Sequence, residues 1–154
     1  MAKIVVGTDG SPSAQHAVSW ALGEARLRKA ALHIVHAWMV PLVDALPEPW
    51  LLAVPIGHTE QELEDRLAAG AREFLEATVA EAKAAGPELD VIGELAEMRP
   101  AAALLAAARD ADLLVVGSRG HGGFAGLLLG SVSSQCVHHA PCPVVVVPAE
   151  RADG

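Results

Sequence analysis

The sequence predicts an α/β fold: a parallel sheet with helices on both faces. Two observations carry that expectation. Short β-branched runs alternate with segments of helical period along the whole chain, the pattern of strand–helix–strand units. The runs Val5-Val6, Leu113-Leu114-Val115-Val116 and Val144-Val145-Val146-Val147 are apolar at every position, as strands covered on both sides must be.

The elements follow in order. Lys3 to Gly7 reads as a buried strand. Ser11-Pro12 opens a helix, with Ser11 as N-cap and Pro12 in the first turn. Its apolar positions are Ala14, Val18, Ala21, Leu22 and Ala25. Ala31 to Trp38 is the second strand. Met39 to His58 carries Pro41, Pro47, Pro49 and Pro55, which exclude a regular helix. It reads as a long loop of the lid or binding type. Thr59 to Ala85 reads as an amphipathic helix, with Thr59 and Glu62 at capping-box spacing. Leu63, Leu67, Ala71, Phe74, Leu75 and Val79 trace its apolar face. Leu89 to Leu95 is the third strand, Pro100 to Arg109 a helix, Leu113 to Val116 the fourth strand and Pro143 to Val147 the fifth. The helix between the last two starts near Ser131, read as its N-cap, and stops before Pro141. No repeat or linker divides the chain, so one domain is expected over 1–148, with a frayed tail over 149–154.

Composition narrows the function. The net charge of −8 at pH 7 would repel nucleic acid, and no Lys or Arg run offsets it. An anionic ligand would have to be met by local donors. No apolar run approaches the length of a membrane span. The opening apolar stretch is too short for a signal peptide. Cys136 and Cys142 are therefore expected to be reduced, in the cytoplasm. Cys136, His138, His139 and Cys142 are metal-ligating types, but adjacent His138 and His139 point to different sides of a helix and cannot converge with the cysteines on one ion. His33, His36, Trp20, Trp38 and Trp50 read as packing residues, with covering of a bound ligand the alternative for Trp38 and the Pro-rich loop.

Ligands of such sheets bind beyond the carboxyl ends of the strands. Two ends stand out: Gly7-Thr8-Asp9-Gly10-Ser11 and Gly117-Ser118-Arg119-Gly120. The second runs on so that Gly117, Gly120, Gly122, Gly123, Gly126 and Gly130 fall within fourteen residues. Glycine lets backbone approach a ligand closely. The helix that follows offers unpartnered N–H groups and the positive end of its dipole, a fit for phosphate. The hydroxyls of Ser131 and Ser133 can add hydrogen bonds, and Arg119 and His121 could face either phosphate or solvent. There is no GxxxxGK[ST] sequence and no GxGxxG after the first strand, which excludes the Walker loop and the dinucleotide fingerprint.

The spacing Gly117-x2-Gly120-x9-Gly130-Ser131 resembles the signature of the ATP-binding branch of the universal stress protein family. The segments Val5 to Ser11, Asp112 to Ser118 and Pro141 to Pro148 resemble it as well. One position departs: where the family commonly has Gly two residues before Pro100, this chain has Met98. The resemblance implies strand order 3-2-1-4-5 in an adenine-nucleotide-binding sandwich. It implies ATP, with Mg²⁺, as ligand. Asp9 would meet the ribose hydroxyls, with Gly7 and Thr8 lining that end. Ala37 would hold adenine through its backbone, and Val116, Gly117, Ser118 and Arg119 would flank the nucleoside and the start of the phosphate segment. Gly120, Gly130, Ser131, Val132 and Ser133 would cradle the phosphates. The fifth strand, Val144 to Val147, would pair across a homodimer. The implied role is regulatory binding in a stress response. A slow ATPase is the competing reading, opposed by the lack of any Lys from Met98 onward. An interaction module that binds no nucleotide is another, opposed by the intact glycine spacing.

Overall fold

The computed structural model describes residues 1–40, 59–120 and 129–149. The Pro-rich segment at 41–58 with Trp50, the glycine-rich residues 121–128 and the end of the tail from 150 onward lie outside the described residues. Five strands form one parallel sheet: β1 (Lys3–Gly7), β2 (Ala31–Trp38), β3 (Val91–Glu97), β4 (Leu113–Gly117) and β5 (Val144–Val147). Their order is β3-β2-β1-β4-β5, as expected. The helices are α1 (Pro12–Arg28), α2 (Glu60–Ala85), α3 (Pro100–Ala107) and α4 (Ser131–His139).

Burial explains why β1 and β4 are apolar throughout. Ile4 and Val6 pack with Ala17, Ala21 and Ala25 of α1 and Leu75 of α2 on one face. Val5 points to the other face and meets Ala103, Leu104 and Ala107 of α3 and Cys136 of α4. Ala at the helix positions lets the helices sit close to the sheet, as the Ala-rich composition implies. Gly7 continues this close packing, because a Cβ there would lie 2.8 Å from the Leu104 methyl groups.

Helix starts follow the sequence signals. The Ser11 hydroxyl accepts from the Ala14 N–H at 3.3 Å. Thr59 and Glu62 form a full capping box, each side chain bonded to the other's backbone N–H. Lys29 ends α1 in the left-handed conformation, with φ 53°.

Five readings need correction. The third strand is displaced two residues from Leu89–Leu95. Leu89 donates to the Gly86 carbonyl in a turn, and β2 is long enough to carry pairing out to Trp38 opposite Glu97. The helix from Pro100 ends at Ala107, and Ala108–Asp110 tightens into a 3₁₀ turn. The fourth strand runs one residue further, to Gly117, and the fifth begins at Val144 rather than Pro143. Trp20 is not a packing residue: it is 39% exposed on the outer side of α1.

Both cysteines are free thiols. Burial pushes the Cys136 thiol up to about 11 and also raises that of Cys142. At pH 8 roughly a thousandth of Cys136 would be thiolate, the form that reacts. Cys136 is wholly buried and Cys142 only in part. Iodoacetamide at pH 8 should therefore alkylate Cys142 well before Cys136, which should react only on unfolding. Mass spectrometry of timed digests checks this, and equal labelling would contradict it.

Candidate functional site

The strand order places the opening of the sheet between β1 and β4. From β1 the chain winds outward through β2 and β3, and from β4 it winds the other way to β5. Such a reversal leaves a crevice at the carboxyl ends of the two central strands.

Beyond β1 the chain makes a tight, self-bonded turn. Thr8 is buried, and its N–H donates to the Val35 carbonyl at 3.0 Å. Its own carbonyl lies 2.8 Å from His36 Nδ1, whose ring packs edge-on against Phe74. The Thr8 hydroxyl accepts from the Gly10 N–H, and Asp9 Oδ1 accepts from the Ser11 N–H at 2.9 Å. Asp9 thus closes a side-chain turn ahead of the helix, while Ser11 is the cap. Gly10 has φ 79°, which glycine adopts without steric cost.

The segment after β4 is held from three sides. The Ser118 N–H donates to the carbonyl of Val147, the last residue of β5, at 2.8 Å. The Ser118 carbonyl accepts from the Gly130 N–H at 2.7 Å and from the Ser133 hydroxyl at 3.1 Å. The Arg119 N–H donates to the hydroxyl of Ser13 in α1, and the Ser11 hydroxyl donates to the Arg119 carbonyl, each at 3.4 Å. A Cβ on Gly120 would lie 2.7 Å from Asp9 Oδ2. The turns that follow β1 and β4 therefore approach each other closely at Asp9 and Gly120.

The start of α4 differs from its expected form. Gly130, not Ser131, is the N-cap. Its backbone is extended, with φ −73° and ψ 172°, and its carbonyl takes the first helical bond, from the Ser134 N–H. Ser131 is the first helical residue, and its hydroxyl accepts from Gln135 Nε2. The Ser133 hydroxyl is buried and directed at the carbonyls of Gly130 and Ser118. The N–H groups of Ser131, Val132 and Ser133 precede that first rung, where helical backbone has no partner of its own. They face the positive end of the dipole. A Cβ on Gly130 would meet nothing closer than 3.5 Å, so packing alone does not require glycine there.

Ala37 reaches the same crevice through strand alternation. In β2 the Ala31 N–H bonds to Ala2 and the Val35 carbonyl to Thr8, on the β1 side, whereas the Leu32 N–H bonds to Asp90, on the β3 side. Ala37 has the parity of Val35, so its backbone groups turn toward β1 beyond the point where that strand ends. Val116 is buried in β4 opposite Val146.

Gly7, Thr8, Asp9, Ala37, Val116, Gly117, Ser118, Arg119, Gly120, Gly130, Ser131, Val132 and Ser133 thus all lie at or beside one end of the sheet. Sequence reasoning missed Ser13, which is polar yet falls in line with Ala17 and Ala21 on the buried stripe of α1. That placement was the available signal. Among the described residues, no group of three or more His, Cys, Asp or Glu could hold a metal ion, and no helix is long and apolar enough to cross a membrane. His121 lies outside the described residues.

The model of the Universal stress protein family matches residues 1–148. The chain belongs to this family. A universal stress protein of Mycobacterium tuberculosis is 38% identical over 96% of the chain. The chain spans about half the length of the curated relatives it matches, 48% in that case. Among solved structures, the universal stress protein UspA from Lactobacillus plantarum superposes with a TM-score of 0.74 at 27% identity, covering 95% of this chain and 97% of that one. A universal stress protein in complex with cAMP gives 0.64 at 30% identity, covering 97% and 98%.

The contact between Gly117 and α1 is open to test. A Cβ at Gly117 would lie 2.7 Å from Ser13 Oγ, 2.8 Å from Ser13 C and 2.9 Å from Ala14 N. Two of these are backbone atoms and cannot rotate away. Gly117→Ala should lower stability by about 1–3 kcal/mol, the range for overpacking. Gly130→Ala should cost less than about 1 kcal/mol, reflecting only the N-cap preference. Urea denaturation of both variants would measure the difference, and equal losses would contradict the contact geometry.

Proposed function

We propose that this universal stress protein is an ATP-binding regulatory module of a stress response. The observation that carries the reading is the meeting of Asp9 with Gly120, beside the open start of α4, at the sheet's switch point. That crevice has a carboxylate at one end and helix N–H donors at the other, matching a ribose and a phosphate chain. Local donors of this kind suit an anion even in a chain of net charge −8. The structural relative in complex with cAMP, an adenine nucleotide, supports the same ligand class.

In this reading Asp9 accepts from the ribose hydroxyls and Thr8 shapes that end. Ala37 offers its backbone to adenine. Val116 and Gly117 flank the nucleoside. Gly120, Gly130, Ser131, Val132 and Ser133 surround the phosphates, with Ser118 and Arg119 fixing the loop through their own bonded amides. Mg²⁺ would arrive on the phosphate oxygens, since Asp9 is the carboxylate that this segment meets and Mg²⁺ keeps much of its water shell. We assign binding rather than efficient hydrolysis. Phosphoryl transfer needs groups that stabilise the moving phosphate, and the chain has no Lys from Met98 onward. A cytoplasmic location is in keeping with two free thiols.

We further assign β5 to a homodimer. It is an edge strand. The carbonyls of Pro143 and Val147 accept from Leu114 and Ser118 of β4 and its following turn, so the intervening Val144 and Val146 direct their backbone groups outward. A twofold axis near Val145 would set Val144 of one copy against Val146 of the other, each pair exchanging N–H and C=O groups. Pro148, with no N–H, ends that ladder.

Four outcomes are expected. Mg·ATP should raise the melting temperature, with stabilisation growing by about 1.4 kcal/mol per tenfold excess over Kd. Gly130→Asp should abolish that shift while keeping or raising the ligand-free melting temperature, because Asp is a favourable N-cap but places a carboxylate where phosphate should approach. A variant that binds ATP like the parent would remove Gly130 from the site. Asp9→Ala should weaken ATP by roughly 1–3 kcal/mol and narrow the gap between ATP and 2′,3′-dideoxy-ATP in calorimetry. An unchanged gap would free Asp9 of any ribose role. Finally, light scattering at micromolar concentration should give a dimer mass, and Val146→Pro should shift it toward monomer without disturbing the β4 ladder. A monomeric parent would refute the dimer, and an unaffected variant would move the interface elsewhere.

A further inference from the structure

Ser13 is buried, polar and in the first turn of α1, where no helical bond requires a hydroxyl. Its oxygen lies at a junction of three elements. It is 3.2 Å from the Val147 carbonyl at the end of β5, 3.4 Å from the Arg119 N–H and 3.4 Å from Ser118 Oγ. A hydroxyl has one hydrogen to donate and two lone pairs to accept with. The Ser13 hydroxyl is placed to donate to the Val147 carbonyl and accepts from the Arg119 N–H, and it shares a hydrogen bond with the Ser118 hydroxyl in which either oxygen can be the donor.

This sorts the donors of the segment after β4. The Ser118 N–H is used by Val147 and the Arg119 N–H by Ser13, and the Ser118 hydroxyl is bonded to that of Ser13. Gly120 follows directly, against Asp9 on one side and with its N–H 3.7 Å from where a Gly130 Cβ would stand. Ser13 thus helps to set the course of the chain into Gly120, together with the Ser11 hydroxyl on the Arg119 carbonyl.

We propose that Ser13 is a positioning residue for phosphate recognition. By anchoring the Arg119 N–H and the Ser118 hydroxyl, it holds the Ser118–Gly120 turn so that Gly120 and the start of α4 face the same anion. The inference rests on the nucleotide reading above. It adds that discrimination between a phosphorylated and an unphosphorylated nucleoside depends on a buried hydroxyl that touches neither.

The test compares ATP with adenosine in the parent, in Ser13→Ala and in Gln15→Ala, an exposed neighbour on the same helix. Calorimetry should show ATP affinity falling about tenfold in Ser13→Ala, with adenosine changing less than twofold and Gln15→Ala matching the parent. Amide exchange followed by NMR should show the Arg119 N–H losing protection in Ser13→Ala without nucleotide present. If Ser13→Ala does not fold, Ser13→Cys keeps a side chain of similar shape with a weak donor and should show the same selective loss. Equal weakening of ATP and adenosine, or unchanged ATP affinity with unchanged Arg119 exchange, would overturn the role of Ser13 alone. A parent that binds neither ligand would overturn the nucleotide reading and this inference with it.

Discussion

A side chain at position 117 would press on the backbone of Ser13 and Ala14, which lies within 3 Å of where its Cβ would stand. The rest of the site depends on this approach. It brings the carboxyl end of β4 against the start of α1, so the two loops that leave the central strands run side by side. Ser118 then reaches β5 through its N–H and α4 through its carbonyl, and Arg119 reaches α1. Four elements are joined by one dipeptide. A larger residue at position 117 would open that junction and separate Asp9 from Gly120.

The two halves of the crevice are built by different physics. The side after β1 is closed by its own hydrogen bonds, with Thr8 and Asp9 each accepting from an N–H two residues on. Among the described residues, the side after β4 is held by distant ones: Ser11, Ser13, Val147, Gly130 and Ser133. A local turn keeps its shape when neighbouring elements shift. A turn held from three directions reports on the position of each of them. One of the anchors of the turn after β4, Val147, is the last residue of the edge strand β5, so a shift of that edge is felt at Ser118.

Much of this was legible from residues. Apolar runs marked β1, β4 and β5, and Ser11-Pro12 and Thr59 with Glu62 marked two helix starts. These signals are local, and local chemistry is what a sequence displays. The errors lie where a distant partner decides. The third strand is displaced because β2, whose residues pair with others 59 positions further on (Leu32 with Val91, Trp38 with Glu97), sets how far pairing runs. Ser131 was read as a cap because a Gly-Ser pair fits two registers, and only the bond from Ser134 to Gly130 selects between them. Ser13 was overlooked because its partners lie more than a hundred residues away. The roles of Ser118 and Arg119 as framework depend on the same distant bonds.

The capping box at Thr59 and Glu62 has a consequence for how the chain can change over time. A helix whose first donors are satisfied by its own residues does not need the preceding segment to tell it where to begin. Whatever joins Val40 to Thr59 is thus free of any duty to start α2. Length and composition can drift there while the sheet and the crevice are kept.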